Sequence, residues 1–149
     1  MKRTLLCLFV CFAAGAVAQD FPSKPVRIIV PWPPSGNVDI TARTVAPALG
    51  EALGQSVVVE NRAGAAGSIG SAAVAKSAPD GYTLLLGSSG TITAGPAVWK
   101  TRHYDPVKDF VAVGGIQSVP IVLTVAPKTP ATNFEEYRKL AASRGGQLS

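Results

Sequence analysis

The chain has 149 residues with 14 Lys and Arg against 9 Asp and Glu, a net charge of +5. That balance is mild, and the basic residues form no dense run or stripe, which argues against nucleic-acid binding. The 2 cysteines and 1 histidine, with carboxylates that are not clustered, leave no donor set for a transition-metal site.

Residues 1–18 read as a secretory signal peptide. Lys2 and Arg3 supply the positive start, Leu5 to Ala14 is apolar, and Ala16-Val17-Ala18 is a small-x-small cleavage site. The apolar run is shorter than the ~20 residues that span a bilayer. Both cysteines, Cys7 and Cys11, lie in this segment, so a processed chain has no thiol and no disulfide. Losing Lys2 and Arg3 brings its net charge to +3.

Pro25 sets entry to a first strand, Val26 to Val30, whose nearly continuous apolar run suits a strand buried on both faces of a parallel sheet. Val38, Ala42, Val45, Ala46, Leu49 and Leu53 then recur at helical spacing. Pro47 falls inside that helix and predicts a kink or a helix in two pieces, and Gly54 is a natural stop. Ser56 to Glu60 is a second strand. A glycine-rich loop, Gly64 to Gly70, leads into a short helix over Ser68 to Ser77. Pro79-Asp80-Gly81 is a turn, and Tyr82 to Leu86 a third strand.

Asp105-Pro106 predicts a short helical turn over Val107 to Phe110. Two further strands are expected near Val111 to Ile116 and Ile121 to Val125. Asn133 with Glu136 three residues on resembles a capping box and starts a helix from Phe134 to about Ser143. Strands alternating with helices specify an α/β fold with a mostly parallel sheet flanked by helices. A further strand is expected to begin at Gly145 to Ser149.

In open α/β sheets ligands bind outside the carboxyl ends of strands, and two loops fit that position. The first is Pro33 to Asp39, between strand and helix. Gly36 permits close backbone approach, Ser35 and Asn37 are short and polar, and the helix start offers free N–H groups and a positive dipole end to an anion. Trp32 either walls this cleft or packs on Pro33 and Pro34. Asp39 either complements the helix start or orders water or a ligand amine. The second loop is Gly87 to Thr91, with the hydroxyls of Ser88, Ser89 and Thr91. The alternative for both loops is a plain connection.

Gly64-x-x-Gly67-x-x-Gly70 has the wrong spacing for a dinucleotide loop, and no G-x-x-x-x-G-K-S/T is present. No G-x-S-x-G elbow accompanies the lone His103, which leaves a secreted serine hydrolase poorly supported. No catalytic residue, metal ligand or cofactor is expected.

Longer stretches carry a family resemblance. Pro31-Trp32-Pro33-Pro34-Ser35-Gly36-Asn37-Val38-Asp39-Ile40-Thr41-Ala42-Arg43 resembles the P-F-P-P-G-G-x-x-D-x-x-A-R stretch of the Bug family. These are extracytoplasmic solute-binding proteins of tripartite tricarboxylate transporters. Leu53 to Gly67 resembles the family's L-G-Q-P-V-V-V-E-N-R-P-G-A-G-G. Ala75 to Leu85 and Tyr104-Asp105-Pro106-Val107-Lys108-Asp109-Phe110 also match. In four places the chain departs from the pattern: Ser35 for the first glycine of the pair, Trp32 for phenylalanine, Gly95-Pro96 for Asn-Pro, and Trp99 for tyrosine.

The resemblance implies a periplasmic, non-enzymatic protein of two lobes that close by a hinge near Val119 to Ala126 on a small carboxylate. It would serve the membrane subunits of a tripartite transporter, or a sensor. Trp32, Pro33, Ser35, Gly36, Asn37, Asp39, Ser88, Ser89 and Thr91 inherit candidacy as ligand-binding residues. On the same footing residues 19–116 form the first lobe, and 117–149 the crossover and start of a second, incomplete lobe. Family members are about twice this length, and their opposing jaw falls beyond Ser149, so the expected chain is a fragment that binds ligand weakly or not at all. The remaining alternative is a truncated product without activity.

Overall fold

The computed structural model describes residues 20–145. The expected signal peptide and the strand expected at the carboxyl end lie outside the described residues. The chain divides after Gly114 into two compact units.

The first unit is built on a parallel sheet of three strands, β1 (Val26–Val30), β2 (Val57–Asn61) and β3 (Thr83–Leu85), in the order β2-β1-β3. Ile28 pairs with Val59 on one side and Leu84 on the other. As the central strand, β1 is buried at every position except Arg27. This is why its sequence is continuously apolar rather than alternating.

Helix α1 (Asn37–Leu53) joins β1 to β2 and packs on both. Ala42 and Ala46 are buried, and Val38 and Leu49 pack with Ile28, Val30, Val57, Val59 and Leu84. The apolar face expected from the sequence is the face that packs. Of the two outcomes expected at Pro47, a helix in two pieces does not occur, for α1 is one continuous helix. Pro47 is exposed, while Ala46 and Leu49 beside it pack on the sheet, and such tertiary packing supplies most of a helix's stability. Gly54 ends the helix in the left-handed conformation at φ 63°, with its N–H bonded to the preceding turn.

Helix α2 (Ser68–Ala75) returns the chain past β1 to β3 and contacts both strands. The two crossovers run in opposite directions across β1. Right-handed connections therefore place α1 and α2 on opposite faces of the sheet. The glycines before α2 have a structural cause. Gly67 sits at φ 86°, where a Cβ would lie 2.5 Å from the Thr91 methyl, and a Cβ on Gly70 would lie 2.5 Å from the Arg62 carbonyl oxygen.

After β3 the chain forms a wide helical turn over Gly90–Ala94 that runs into helix α3 (Gly95–Val98). The sequence predicts only a loop over Gly87 to Thr91 here; the structure winds the end of that loop and Gly95–Val98 after it into helix. At Asp105 the expected helix is a single hydrogen-bonded turn. The Asp105 carboxylate accepts from the Val107 and Lys108 N–H groups, and the Asp109 N–H closes on the Asp105 carbonyl.

The strands expected at Val111 to Ile116 and Ile121 to Val125 are absent among the described residues. Val111 is 90% exposed and Ile121 95%. Apolar β-branched runs favour strands only where a partner strand and a covering face exist, and this stretch has neither among the described residues. The second unit contains helix α4 (Phe134–Ser143). Its cap is the expected one: Asn133 Oδ1 accepts the Glu136 N–H at 3.0 Å, while the Glu136 carboxylate reaches back to the Thr132 N–H at 2.8 Å.

Candidate functional site

The crevice between the carboxyl ends of β1 and β3 is the topological switch point of this sheet. The chain leaves β1 toward β2 on one side and enters β3 on the other. Ligand sites of open α/β sheets form at such points. Two segments border it, Pro31–Gly36 after β1 and Gly87–Thr91 after β3.

The first segment is held by a buried ionic network. Asp39, in the first turn of α1, is 3% exposed. Arg43 Nε lies 3.0 Å from its Oδ1 and 3.1 Å from its Oδ2. Asn61 Nδ2 donates to Oδ1 at 2.8 Å, and the Ser35 N–H donates to Oδ2 at 2.9 Å. The Arg43 guanidinium, then the Ser35 N–H and the Asn61 amide, hold this carboxyl down from the ordinary 3.8 to about 2, against the opposing effect of burial. Asn61 also donates to the Trp32 carbonyl at 3.1 Å and accepts from Arg43 Nη2 at 2.9 Å. The loop is thus tied at Trp32 and at Ser35. Ser35 takes φ 67°, in the left-handed region that disfavours any residue with a Cβ.

The second segment is held from three directions. Trp32 Nε1 donates to Ser88 Oγ at 3.3 Å. The Ser88 N–H donates to Thr91 Oγ1 at 3.0 Å, and that hydroxyl donates back to the Ser88 carbonyl at 3.1 Å. The Tyr104 hydroxyl donates to the Thr91 carbonyl. Tyr104 is itself buried between the edges of Trp99 and Phe110.

The candidates named from sequence therefore fall into two groups. Pro33, Ser35, Gly36, Asn37 and Ser89 are exposed, and Trp32 and Ser88 half-buried, along the two rims. Asp39 and Thr91 are buried, with their side-chain oxygens bonded within the chain. Arg43, Asn61 and Tyr104 organise the site yet were not singled out for it. Arg43 could have been found from its place one helical turn after Asp39, whereas Asn61 and Tyr104 are marked only by the longer motifs, since their hydrogen-bond partners lie 18 to 29 residues away for Asn61 and 13 for Tyr104.

Gly36 has no side chain with which to cap α1, so the positive dipole end of the helix meets the loop without a side-chain cap. A separate concavity of 510 Å³ lies against α1 and β2, lined by Arg43, Pro47, Gln55 and Val57. It is away from the switch point, and its one charged group is already bound to Asp39 and Asn61. Among the described residues no group of three or more His, Cys, Asp or Glu is placed to hold a metal ion, and no helix is long and apolar enough to cross a membrane.

Residues 41–149 match the tripartite tricarboxylate transporter family receptor, TctC. The chain belongs to the TctC receptor family. It is 41% identical over 138 residues to protein BugT of Bordetella pertussis, covering 92% of this chain and 42% of that protein. Among solved structures it is similar to Rpa4515 of R. palustris, determined with adipate (38% identity, TM-score 0.75, 84% of this chain and 42% of that one). It is likewise similar to MatC of Rhodopseudomonas palustris, determined with bound malate (33% identity, TM-score 0.75, 83% and 42%). These likenesses establish a periplasmic-binding-protein-like fold. TctC receptors are solute-binding proteins rather than an enzyme family, and periplasmic as a family. The chain spans under half the length of these relatives.

Proposed function

We propose that this chain forms one wall of a carboxylate-binding cleft in a periplasmic solute receptor. The observation that carries the reading is the pairing of two ordered loops at the switch point, joined by the bond from Trp32 to Ser88. An uncapped helix start and small polar residues there suit a carboxylate, which backbone N–H groups recognise without a charged side chain. The relatives solved with adipate and with malate share this fold, and both ligands are dicarboxylates.

In this reading Trp32, Pro33, Ser35, Gly36, Asn37, Ser88 and Ser89 face ligand, while Asp39 and Thr91 support them from behind. Residues 19–116 make one lobe and 117–149 lead toward a second. The receptor would pass its ligand to the membrane subunits of a tripartite transporter, or report it to a sensor. No metal or cofactor takes part.

The test is a titration of the ¹⁵N-labelled chain with adipate and with malate. Amide shifts confined to Gly36–Val38 and Ser88–Gly90, saturating on the order of 1 mM or below, support the cleft. Shifts clustered elsewhere would sink it. Covalent labelling of Ser88 or Ser89 by a fluorophosphonate would instead favour a hydrolase.

A further inference from the structure

We propose that Asp39 is the positioning residue of this cleft: it sets the shape of the loop that meets the ligand and does not touch the ligand itself. The inference rests on the carboxylate-binding reading above.

A carboxylate offers about four lone-pair sites, two on each oxygen. On Asp39 three donors meet them, the single Arg43 Nε–H being shared between the two oxygens. Oδ1 receives Arg43 Nε and Asn61 Nδ2, and Oδ2 receives the Ser35 N–H and Arg43 Nε. A ligand amine, or a water shared with ligand, would have to displace one of these. The carboxylate is also 3% exposed, so it presents almost no surface toward the crevice.

What the network does is hold backbone. Ser35 is fixed directly through its N–H. Trp32 is fixed through Asn61, whose amide donates both to Asp39 and to the Trp32 carbonyl. The left-handed φ of Ser35 is a strained state for a residue with a Cβ, and such states persist where the surroundings over-determine them. Trp32 in turn bonds Ser88. One buried carboxylate thus governs both rims of the crevice, the near one by direct bonds and the far one through the indole.

The charge arrangement agrees. A bare carboxylate inside the first turn of α1 would repel an anion arriving at that helix start. Arg43, one turn on, neutralises it at 3.0 Å and leaves the field of the N–H groups in place. A residue meant to attract a ligand amine would be left unneutralised.

The experiment compares the ¹⁵N-labelled chain with its Asp39→Asn variant by three readouts: the Trp32 indole resonance with Trp99 as internal reference, thermal unfolding, and titration with adipate, malate and aspartate. Asparagine retains an acceptor for Arg43 or Asn61 but cannot serve all three donors. We expect the Trp32 indole and Ser35 amide signals to move while the Trp99 indole stays. Affinity for all three ligands should fall by the same factor, about tenfold. Unmoved Trp32 and Ser35 signals would overturn the inference. So would a loss for aspartate much larger than for malate and adipate, which would put Asp39 in contact with the ligand amine. If the wild-type chain binds none of the three, one wall by itself does not hold a carboxylate, and the resonances still decide whether Asp39 sets the loop. Should Asp39→Asn not fold, Asn61→Ala keeps the Asp39–Arg43 pair and should move Trp32 but not Ser35. Movement of neither would overturn the proposal.

Discussion

The indole N–H of Trp32 donates to the Ser88 hydroxyl at 3.3 Å, across 56 residues of chain and from the end of one strand to the end of its neighbour. Ser88 is bonded in turn to Thr91, and Thr91 to Tyr104. The rim after β3 is therefore anchored at both ends by aromatic side chains.

Replacing Trp32 with phenylalanine keeps an aromatic ring but removes the N–H donor along with part of the indole. Ser88 is only half-buried, so water can take the vacated hydroxyl. We expect a loss of about 1 kcal/mol in urea unfolding, near the typical net value of one hydrogen bond. Faster amide exchange at Ser88 and Ser89, with Trp99 fluorescence unchanged, would confirm that the effect is local.

Ser35→Gly should stabilise the chain. Ser35 occupies φ 67°, which costs a residue with a Cβ roughly 1–2 kcal/mol. Glycine removes that cost but loses more entropy on folding, about 0.5–1 kcal/mol. The expected net gain is about 0.5–1 kcal/mol, read as a rise in Tm of a few degrees. A lower Tm would show that the Ser35 hydroxyl contributes more than the backbone strain removes.

Gly70→Ala should be among the most disruptive small changes in the first unit. Its Cβ would meet the Arg62 carbonyl oxygen at 2.5 Å and the Pro31 Cα at 2.9 Å, both backbone and unable to swing aside. A cost at or above the usual overpacking range, ~3 kcal/mol, is expected. Gly114→Ala, with nothing within 4 Å of its Cβ, should change stability little. Equal effects at the two sites would contradict the close packing of α2 on the Pro31 backbone.

Acid should weaken the loop through Asp39. Its carboxyl is lowered from 3.8 to about 2 in the folded chain, first by the Arg43 hydrogen bond and then by the Ser35 N–H. A depressed folded value means the stabilisation is complete above the ordinary pKa and is lost as pH falls from about 4 to 2. The surface carboxylates Asp80, Asp105 and Glu136 are lowered as well, chiefly by backbone N–H groups of Tyr82, Val107 and Thr132. The comparison with Asp39→Asn isolates the buried group: the stability gap between the two proteins should be constant from pH 7 to 5 and close toward pH 2. A gap that does not change would mean Asp39 is not ionised in the fold.

The stretch from Val111 to Val125 should drive association of this chain. Val111, Val113, Ile121 and Val122 are 90%, 87%, 95% and 72% exposed, and large apolar side chains left in solvent in this number favour association. Sedimentation at rising concentration should show self-association, and Val113→Lys with Ile121→Lys should suppress it without lowering the Tm of the first unit. A monomer at every concentration would refute this.

Much of the architecture was legible from residue order. The continuous apolar run of β1, the helical spacing of Val38 to Leu53, the glycine stop at Gly54 and the Asn133–Glu136 cap each act over a few residues. Their energetics are local, so the pattern carries them. The same locality explains two errors. Propensity at Pro47 allowed a helix in two pieces because it ignores the packing of Ala46 and Leu49 on the sheet, which holds α1 together. The apolar β-branched runs near Val111 to Ile116 and Ile121 to Val125 predicted strands because composition records what the side chains favour, not whether a partner strand is present.

The candidate site divides the same way. Strand–loop–helix order alone located both rims, since ligand sites follow from where loops leave a parallel sheet. Which side chains face the crevice and which brace it from behind was decided by contacts that close only in three dimensions. Asp39 looked like a helix-start charge or a ligand group until Asn61 and Ser35 were seen to share it. Sequence spacing specifies neighbours one helical turn away, as with Asp39 and Arg43. It says nothing of a partner on another strand, because that distance is set by the packing of α1 on β2 and not by the chain between them.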